Sequence, residues 1–381
     1  MKFLHTSDLH IGLRLCEVSL NGEIEAALDA IRDLAVREGC DAVIVAGDIY
    51  DRAAPSAEAV ALFDRFVTGL ASVGVPILAV SGNHDSAERV GYLSSLLEKA
   101  GAHFSPVYDG EVRPVTLMDA DGPVDFWLLP FFRPVQYRAA VPESEAWSWG
   151  DTAAEAISRM AIDRGRRNVL VAHHFAAPGG FDETAGGVGG VDPALYAPFD
   201  YTALGHLHRA HPVGRQTVRY SGSPVKCSFD EAEDSKSVTL VTIGGDRHAD
   251  IREVPLPVRR DVRQMRGTYE ELVSPAFRAR GNPDDYLRAI LTDEEDIPDA
   301  VTKLRVIYPN LLRLSYDNLR TRTLGSREIA WNETGVDALT PEQVFAELWE
   351  RQHGAPPDEE ILRMAEDLFR AARGWEGGED A

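Results

Sequence analysis

Three things are scarce in this 381-residue chain, and each scarcity excludes something. Cysteine occurs only as Cys16, Cys40 and Cys227. An odd number at such spacing suits neither a disulfide framework nor a cysteine-rich zinc site, so the three read as reduced bystanders. Long apolar runs are missing: charge, Gly or Pro cuts every strong segment short of the roughly 18 residues of a membrane helix, and no membrane partner is expected. The opening Met1-Lys2-Phe3-Leu4 meets polar residues before a signal-peptide core could form, so a cytoplasmic location is expected. Basic residues are outnumbered, 39 Lys and Arg against 61 Asp and Glu, for a formal charge of -22. That sum excludes simple electrostatic adhesion to nucleic acid unless bound cations reverse the sign locally. A phosphate-gripping Gly-x-x-x-x-Gly-Lys-Ser/Thr loop is absent as well, so any ATP hydrolysis must come from another chain.

What is present is ordinary globular material, 44% hydrophobic and 26% charged, long enough for two or three units. Up to about Val254, short β-branched runs alternate with amphipathic stretches. The runs at 41–46, 75–80, 168–172 and 201–204 are too short for helices and too apolar for surface strands, which predicts buried strands. Ile24, Leu28, Ile31 and Leu34 recur at helical spacing, and residues 57–66 do so after a Pro55-Ser56 start signal. The fold class expected is α/β, with layered β-sheets flanked by helices. The Gly-rich stretch from Gly179 to Gly190 lacks periodicity and reads as a mobile surface loop.

Pro255-Leu256-Pro257 punctuates the chain, and the pattern then restarts as a small α/β unit with strands near 261–265, 286–291 and 311–315 and helices near 269–272 and 299–306. Between Arg259 and Arg322, twelve Lys/Arg face eleven Asp/Glu, so this segment escapes the general acidity. Two apolar stripes follow. Val344, Phe345 and Leu348 form one, after the Thr340-Pro341-Glu342 start; Ile361, Leu362, Leu368 and Phe369 form the other. They predict a helical hairpin that packs on the body or grips a partner helix. The boundaries expected are 1–257, 258–330 and 336–375.

Five clusters put oxygen or imidazole donors just after predicted strands: Asp8-Leu9-His10, Gly47-Asp48, Gly82-Asn83-His84-Asp85, His173-His174 and Gly205-His206-Leu207-His208. Residues two apart on an extended chain point the same way, so Asp8 with His10, and His206 with His208, can face one cavity. Carboxylate, imidazole and amide donors without cysteine suit borderline divalent ions such as Mn²⁺ or Fe²⁺. His5, His103, His211, His248 and His353 lack ligand partners nearby in sequence and read as structural or solvated.

The ordered set resembles the calcineurin-like metallophosphoesterase superfamily. More narrowly, His5-Thr-Ser-Asp-Leu-His-Ile-Gly12, Val45-Ala-Gly-Asp-Ile-Tyr-Asp51, Tyr220-Ser-Gly-Ser-Pro224 and Ser228-Phe-Asp-Glu231 resemble the SbcD family of bacterial nuclease subunits. The resemblance implies a metallophosphoesterase sandwich with a small α/β capping domain and a C-terminal helical hairpin. It implies a pair of divalent ions, taken as Mn²⁺: Asp8, His10, Asp48 and His208 on one, and Asp48, Asn83, His173 and His206 on the other. His173 is preferred to His174 because it directly follows its strand. His84 would then protonate the leaving oxygen, with Asp85 orienting it. Asp51 stands where some relatives carry His, so no second catalytic imidazole is expected there.

The implied function is a DNA exonuclease and endonuclease acting on double-strand breaks and hairpins. The implied partner is an SbcC-type coiled-coil ATPase, bound at the base of its coil by the hairpin stripe, in a heterotetramer containing a homodimer of this chain. Arg259, Arg260, Arg263 and Arg266 of the cap would touch the DNA backbone. The competing reading is a phosphatase or phosphodiesterase on the same scaffold with a non-DNA substrate, which leaves cap and hairpin idle. A non-catalytic scaffold is opposed by the intact Asp48, Asn83 and His84.

Overall fold

The computed structural model of the chain describes residues 1–180, 189–319, 321, 345–346, 349, 356–358, 361–365 and 368. Two six-stranded sheets form its centre. In the first, the strands run in the order Ala249–Pro255, Ser237–Ile243, Lys2–Thr6, Ala42–Ala46, Ile77–Val80, Ala102–Phe104. In the second, the order is His211–Val213, Arg215–Tyr220, Tyr201–Gly205, Arg167–His173, Gly122–Leu129, Pro114–Asp119. The middle strands of both pair in parallel, and the antiparallel strands lie toward the edges.

Period-two alternation explains why these strands are apolar throughout. Ala42, Ile44 and Ala46 point into a core that also takes Phe126, Leu128, Val169, Val171, Tyr201 and Ala203 from the other sheet. Val43 and Val45 point the opposite way, toward Ile24, Leu28, Ile31, Leu62, Phe66 and Leu70 of the helices Asn21–Glu38 and Ala57–Ser72. Leu170 and Ala172 likewise face away from the central core, toward Ala153, Ala156 and Ile157 of the helix Trp149–Ser158. The layers therefore run helix, sheet, sheet, helix, and a strand buried on both faces has no polar side to show. The Ala57–Ser72 helix starts where Ser56 Oγ accepts from the Ala59 amide at 3.2 Å, and Asn21–Glu38 ends on Gly39 in the left-handed region, φ 62°.

By its contacts the chain divides into two units. The first comprises Met1–Arg266, Glu270–Ala289 and Asp299–Leu314, and it contains both large sheets. The second comprises Gly267–Tyr269, Ile290–Pro298 and Ser315–Ala381. Within the second, the Tyr269 amide donates to Asp293 Oδ2 at 2.8 Å and Asn318 Nδ2 to the Asp293 carbonyl at 3.0 Å. Strands Val262–Gly267, Tyr286–Leu291 and Leu311–Tyr316, in that order, form a three-stranded sheet whose residues 262–266, 286–289 and 311–314 count in the first unit, as does the helix Ala300–Arg305. Among the described residues of the stretch expected to form a hairpin, Phe345 and Trp349 lie with ring centroids 5.8 Å apart, residues 361–365 are helical, and Leu368 is 69% exposed. Val344, Leu348, Phe369 and His353 lie outside the described residues, as do residues 181–188 of the Gly-rich loop. No helix among the described residues is long and apolar enough to cross a membrane.

The inter-sheet core carries much of the stability. Phe126 is fully buried and meets Phe3 edge to face at 5.7 Å, and Phe3 meets Tyr201 at the same distance. Phe126→Ala is expected to cost about 3–5 kcal/mol of stability, read from denaturant unfolding of the full chain. A change below about 1 kcal/mol would mean the sheets are held elsewhere.

Candidate metal centre

The parallel strands of the two sheets deliver the five clusters to one edge. Strand Lys2–Thr6 leads into Asp8 and His10, Ala42–Ala46 into Asp48, Ile77–Val80 into Asn83 and His84, Arg167–His173 ends on His173, and Tyr201–Gly205 leads into His206 and His208. The first two loops are tied by the Asp8 amide to the Gly47 carbonyl and the His10 amide to the Asp48 carbonyl, each at 3.0 Å. Asp8, His10, Asp48 and His206 all adopt positive φ, of 52°, 45°, 48° and 103°. Strain of this kind persists only where surrounding contacts dictate it, and here it turns four donor side chains inward.

Asp48 lies at the middle. Its Oδ1 accepts from the His84 amide at 2.8 Å, while its Oδ2 is 3.3 Å from His173 Nε2 and 3.8 Å from His10 Nε2. Asn83 Oδ1 lies 3.0 Å from both His173 Nε2 and His206 Nδ1. His10 Nε2 is 3.1 Å from His208 Nε2, and Asp8 Oδ1 accepts from the His206 amide at 3.0 Å. All seven sequence-expected donors are thus brought together, and a Cβ would abolish the approach at glycines of these loops. On Gly82 it would stand 2.2 Å from Asp48 Oδ1, and on Gly205 1.8 Å from the Ala46 carbonyl oxygen.

The outer nitrogens of two imidazoles are fixed from behind. His173 Nδ1 is 2.8 Å from the Ala46 carbonyl, and His208 Nδ1 is 3.0 Å from Glu231 Oε1. Buried Lys236 pairs with Glu231 Oε2 at 2.6 Å and donates to the His208 carbonyl at 2.9 Å. Glu231 stood out in the sequence only as part of a motif, and Lys236 not at all. The acid two dozen residues beyond His208 gave no local signal of its target.

Other placements differ from expectation. Asp85 does not orient the His84 ring: its carboxylate accepts from the Gly82, Ile49 and Tyr50 amides at 2.9, 3.0 and 2.9 Å, clasping two loops together. Burial, with Asp48 nearby, pushes it up to about 6 against those bonds. His84, exposed to solvent, instead has Nδ1 3.0 Å from the Asp51 carbonyl. His174 turns away from the site, with Nδ1 3.0 Å from the Tyr196 hydroxyl. Cys227 is more than a bystander, because its thiol lies within 4.8 Å of donor nitrogens of His10 and His208. Of the cap arginines, Arg263 Nε bonds Asp285 at 2.6 Å and Arg260 reaches Tyr286 and Glu23 at 3.1 and 3.4 Å. Arg259 and Arg266 are exposed.

Electrostatics fit a cation here. Asp8 and Asp48 are almost fully buried, and among the described residues no Lys or Arg pairs with either. Burial pushes Asp8 up; at Asp48 burial acts in the same sense, but His173, His10 and His84 together outweigh it and hold the carboxyl low. Burial lowers His10 to about 3 and His206 to about 4, leaving neutral imidazoles with lone pairs to offer. Burial also opposes charge on His173 and His208, but Asp48 lifts the first to about 9, and Cys227 and Glu231 lift the second to about 11. Those protons stand where cations would. Asp8, His10 and Asp48 group closely enough to hold one divalent ion.

This geometry belongs to a class of metal-dependent phosphoester hydrolases. Residues 1–210 match the calcineurin-like phosphoesterase family, and the chain belongs to it. Residues 258–353 match a family described as the type 5 capsule protein repressor C-terminal domain. Over 323 residues, 83% of this chain, it is 30% identical to the SbcD subunit of the nuclease SbcCD from Staphylococcus saprophyticus subsp. saprophyticus, covering 84% of that protein. It is 29% identical to the SbcD subunit of the same nuclease from Staphylococcus epidermidis, covering 85%. Within the phosphoesterases, then, the chain is a member of the SbcD family and a hydrolytic enzyme of nuclease type.

Two outcomes follow from the protons at the centre. Metal binding should displace them, so its apparent enthalpy at pH 7 should vary with buffer ionisation enthalpy in isothermal titration; a buffer-independent enthalpy would contradict the protonated pair. Glu231→Gln should weaken metal affinity about 10–100-fold while the chain stays folded.

Proposed function

We propose that the chain is the metal-dependent DNA exonuclease and endonuclease subunit of an SbcCD-type complex, acting at double-strand breaks and hairpins. The observation that carries this reading is the convergence of Asp8, His10, Asp48, Asn83, His173, His206 and His208 around buried Asp48. In it, Asp8, His10, Asp48 and His208 hold one ion, and Asp48, Asn83, His173 and His206 the other, with Asp48 shared. Mixed oxygen and imidazole donors favour Mn²⁺ over Mg²⁺. A bound pair of such ions supplies an activated water and neutralises charge on the phosphoryl group.

The chain's own residues do the rest. Asp85 holds the loops of Asp48 and Asn83 at fixed spacing through three amides. His84 donates its Nδ1 proton to the Asp51 carbonyl, so Nε2 is the nitrogen that hands a proton to the leaving oxygen. Its exposure leaves it accessible to a strand laid across the site. Glu231 and Lys236 keep the His208 ring in one orientation.

The names of the relatives support a multi-subunit nuclease, and in this reading it processes DNA in the cytoplasm. In this reading residues 1–257 are the nuclease domain, 258–330 the cap, and 336–375 the hairpin that grips the coiled-coil ATPase through Val344, Phe345, Leu348, Ile361, Leu362, Leu368 and Phe369. A family match beginning at residue 258 supports the first boundary. The assembly is a heterotetramer containing a homodimer of this chain. Arg259, Arg260, Arg263 and Arg266 are the cap residues that meet DNA phosphates, with Arg260 and Arg263 steadied by Tyr286 and Asp285.

His84→Gln should lower kcat on single-stranded and hairpin DNA about 10²–10⁴-fold with Mn²⁺ present, with metal affinity retained. Cleavage at the parent rate would remove His84 from the mechanism. Hydrolysis of a phosphodiester dye but never of DNA, even with the ATPase partner added, would favour a phosphodiesterase with another substrate.

A further inference from the structure

A cavity of about 640 Å³ opens directly beside the centre, and nothing in the mechanism so far uses it. Its near wall is Gly82, Asn83 and Asp85 of the metal-centre loop; its far wall is the turn after strand Gly122–Leu129, including Phe131, Phe132 and Arg133. That volume falls within the range of small-molecule sites. The two walls are fixed to one another, because the Phe131 amide donates to the Ser81 carbonyl at 3.0 Å.

The wall chemistry is selective. Phe132 is buried and packs with Tyr108 and Tyr137 at centroid distances of 4.8 and 5.3 Å, a rigid floor. Phe131 is only half-buried. Its ring meets His173 edge to face at 6.3 Å and Trp149 at 5.7 Å, so it is braced on the core side and continuous with a candidate ligand. Arg133 is exposed, and its guanidinium makes no ion pair among the described residues. Carboxylates of Asp85, Glu88 and Asp109 also border the cavity. Asp85 is already held by three backbone amides, whereas Glu88 and Asp109 disfavour a phosphate in the cavity's body and can accept hydrogen bonds from exocyclic amines.

An occupant that joins a flat aromatic face, ring amines and an attached phosphate is a nucleotide. We propose that this cavity receives the nucleobase next to the scissile phosphate, stacked on Phe131, with Arg133 steadying the adjoining backbone phosphate at the rim. Stacking on an aromatic face tolerates any base, so the subsite imposes no sequence preference of its own. It also requires a base already out of a duplex, so the subsite favours single-stranded ends and loops. The inference rests on the nuclease reading above and adds the residues that grip the substrate.

The test is a thermodynamic cycle between side chain and base, using the full chain with Mn²⁺ and its ATPase partner. KM and kcat are measured for parent, Phe131→Ala and Phe131→Tyr on short single-stranded DNA. Each substrate is intact or carries an abasic residue on one side or the other of a single cleavable bond. For the parent, removing the base on one side should raise KM about tenfold, and Phe131→Ala should raise it by a similar factor on intact DNA. Phe131→Ala should then be indifferent to that base, Phe131→Tyr should behave as the parent, and Arg133→Ala should raise KM on both substrates alike. Equal losses from Phe131→Ala on intact and abasic DNA would make Phe131 merely structural and overturn the subsite. Parent DNA cleavage insensitive to abasic residues on both sides would overturn it too, leaving the nuclease reading intact. A parent protein that cleaves no DNA at all would defeat the nuclease reading, and the subsite with it.

Discussion

The rest of the structure is arranged around one buried carboxylate. Asp48 is 2% exposed, takes the His84 amide on one oxygen and faces imidazoles with the other, and among the described residues no lysine or arginine pairs with it. A charge in that position is tolerable only if its surroundings supply hydrogen bonds and a cation. The two sheets meet that demand by ending their parallel strands at the same edge, where loops from five strands approach within hydrogen-bonding distance. Gly82 and Gly205 are the points at which the approach is closest, and neither has room for a methyl group.

Beyond the donors, a supporting layer sets their orientation. The Ala46 carbonyl behind His173 and the Glu231 carboxylate behind His208 each fix a ring by its outer nitrogen. Asp85 acts one step further out, on backbone amides of the Asp48 and Asn83 loops. The same layer links the centre to the following segment. Gln264, on the strand Val262–Gly267, donates to the Phe229 carbonyl at 2.7 Å, on the short turn that carries Glu231.

Much of this was legible in the sequence for a simple reason: a strand buried on both faces must be apolar throughout, and the polar residues that follow it then stand out. The five donor clusters stand out that way, the family resemblance narrows them to Asp8, His10, Asp48, Asn83, His173, His206 and His208, and the structure gathers these seven. What escaped is equally physical. The hairpin of Pro114–Asp119 and Gly122–Leu129 went unmarked, since its outer strand is half exposed and its inner strand opens on Gly and Pro. Lys236 carries no signal in the sequence, yet it is buried, where Glu231 and the His208 carbonyl satisfy it.

Sequence alone settled the layered α/β class, the order of the donor clusters and their chemistry, because periodicity and residue type are local properties. Tertiary structure alone decided that Asp85 serves the backbone rather than His84, that His174 turns toward Tyr196, and that Cys227 adjoins His208. It also decided that Phe131 and Arg133 border a cavity beside Asn83. Each of those outcomes depends on which atoms of distant loops come within a few ångströms. Spacing along a chain carries no record of such distances until the sheets have packed.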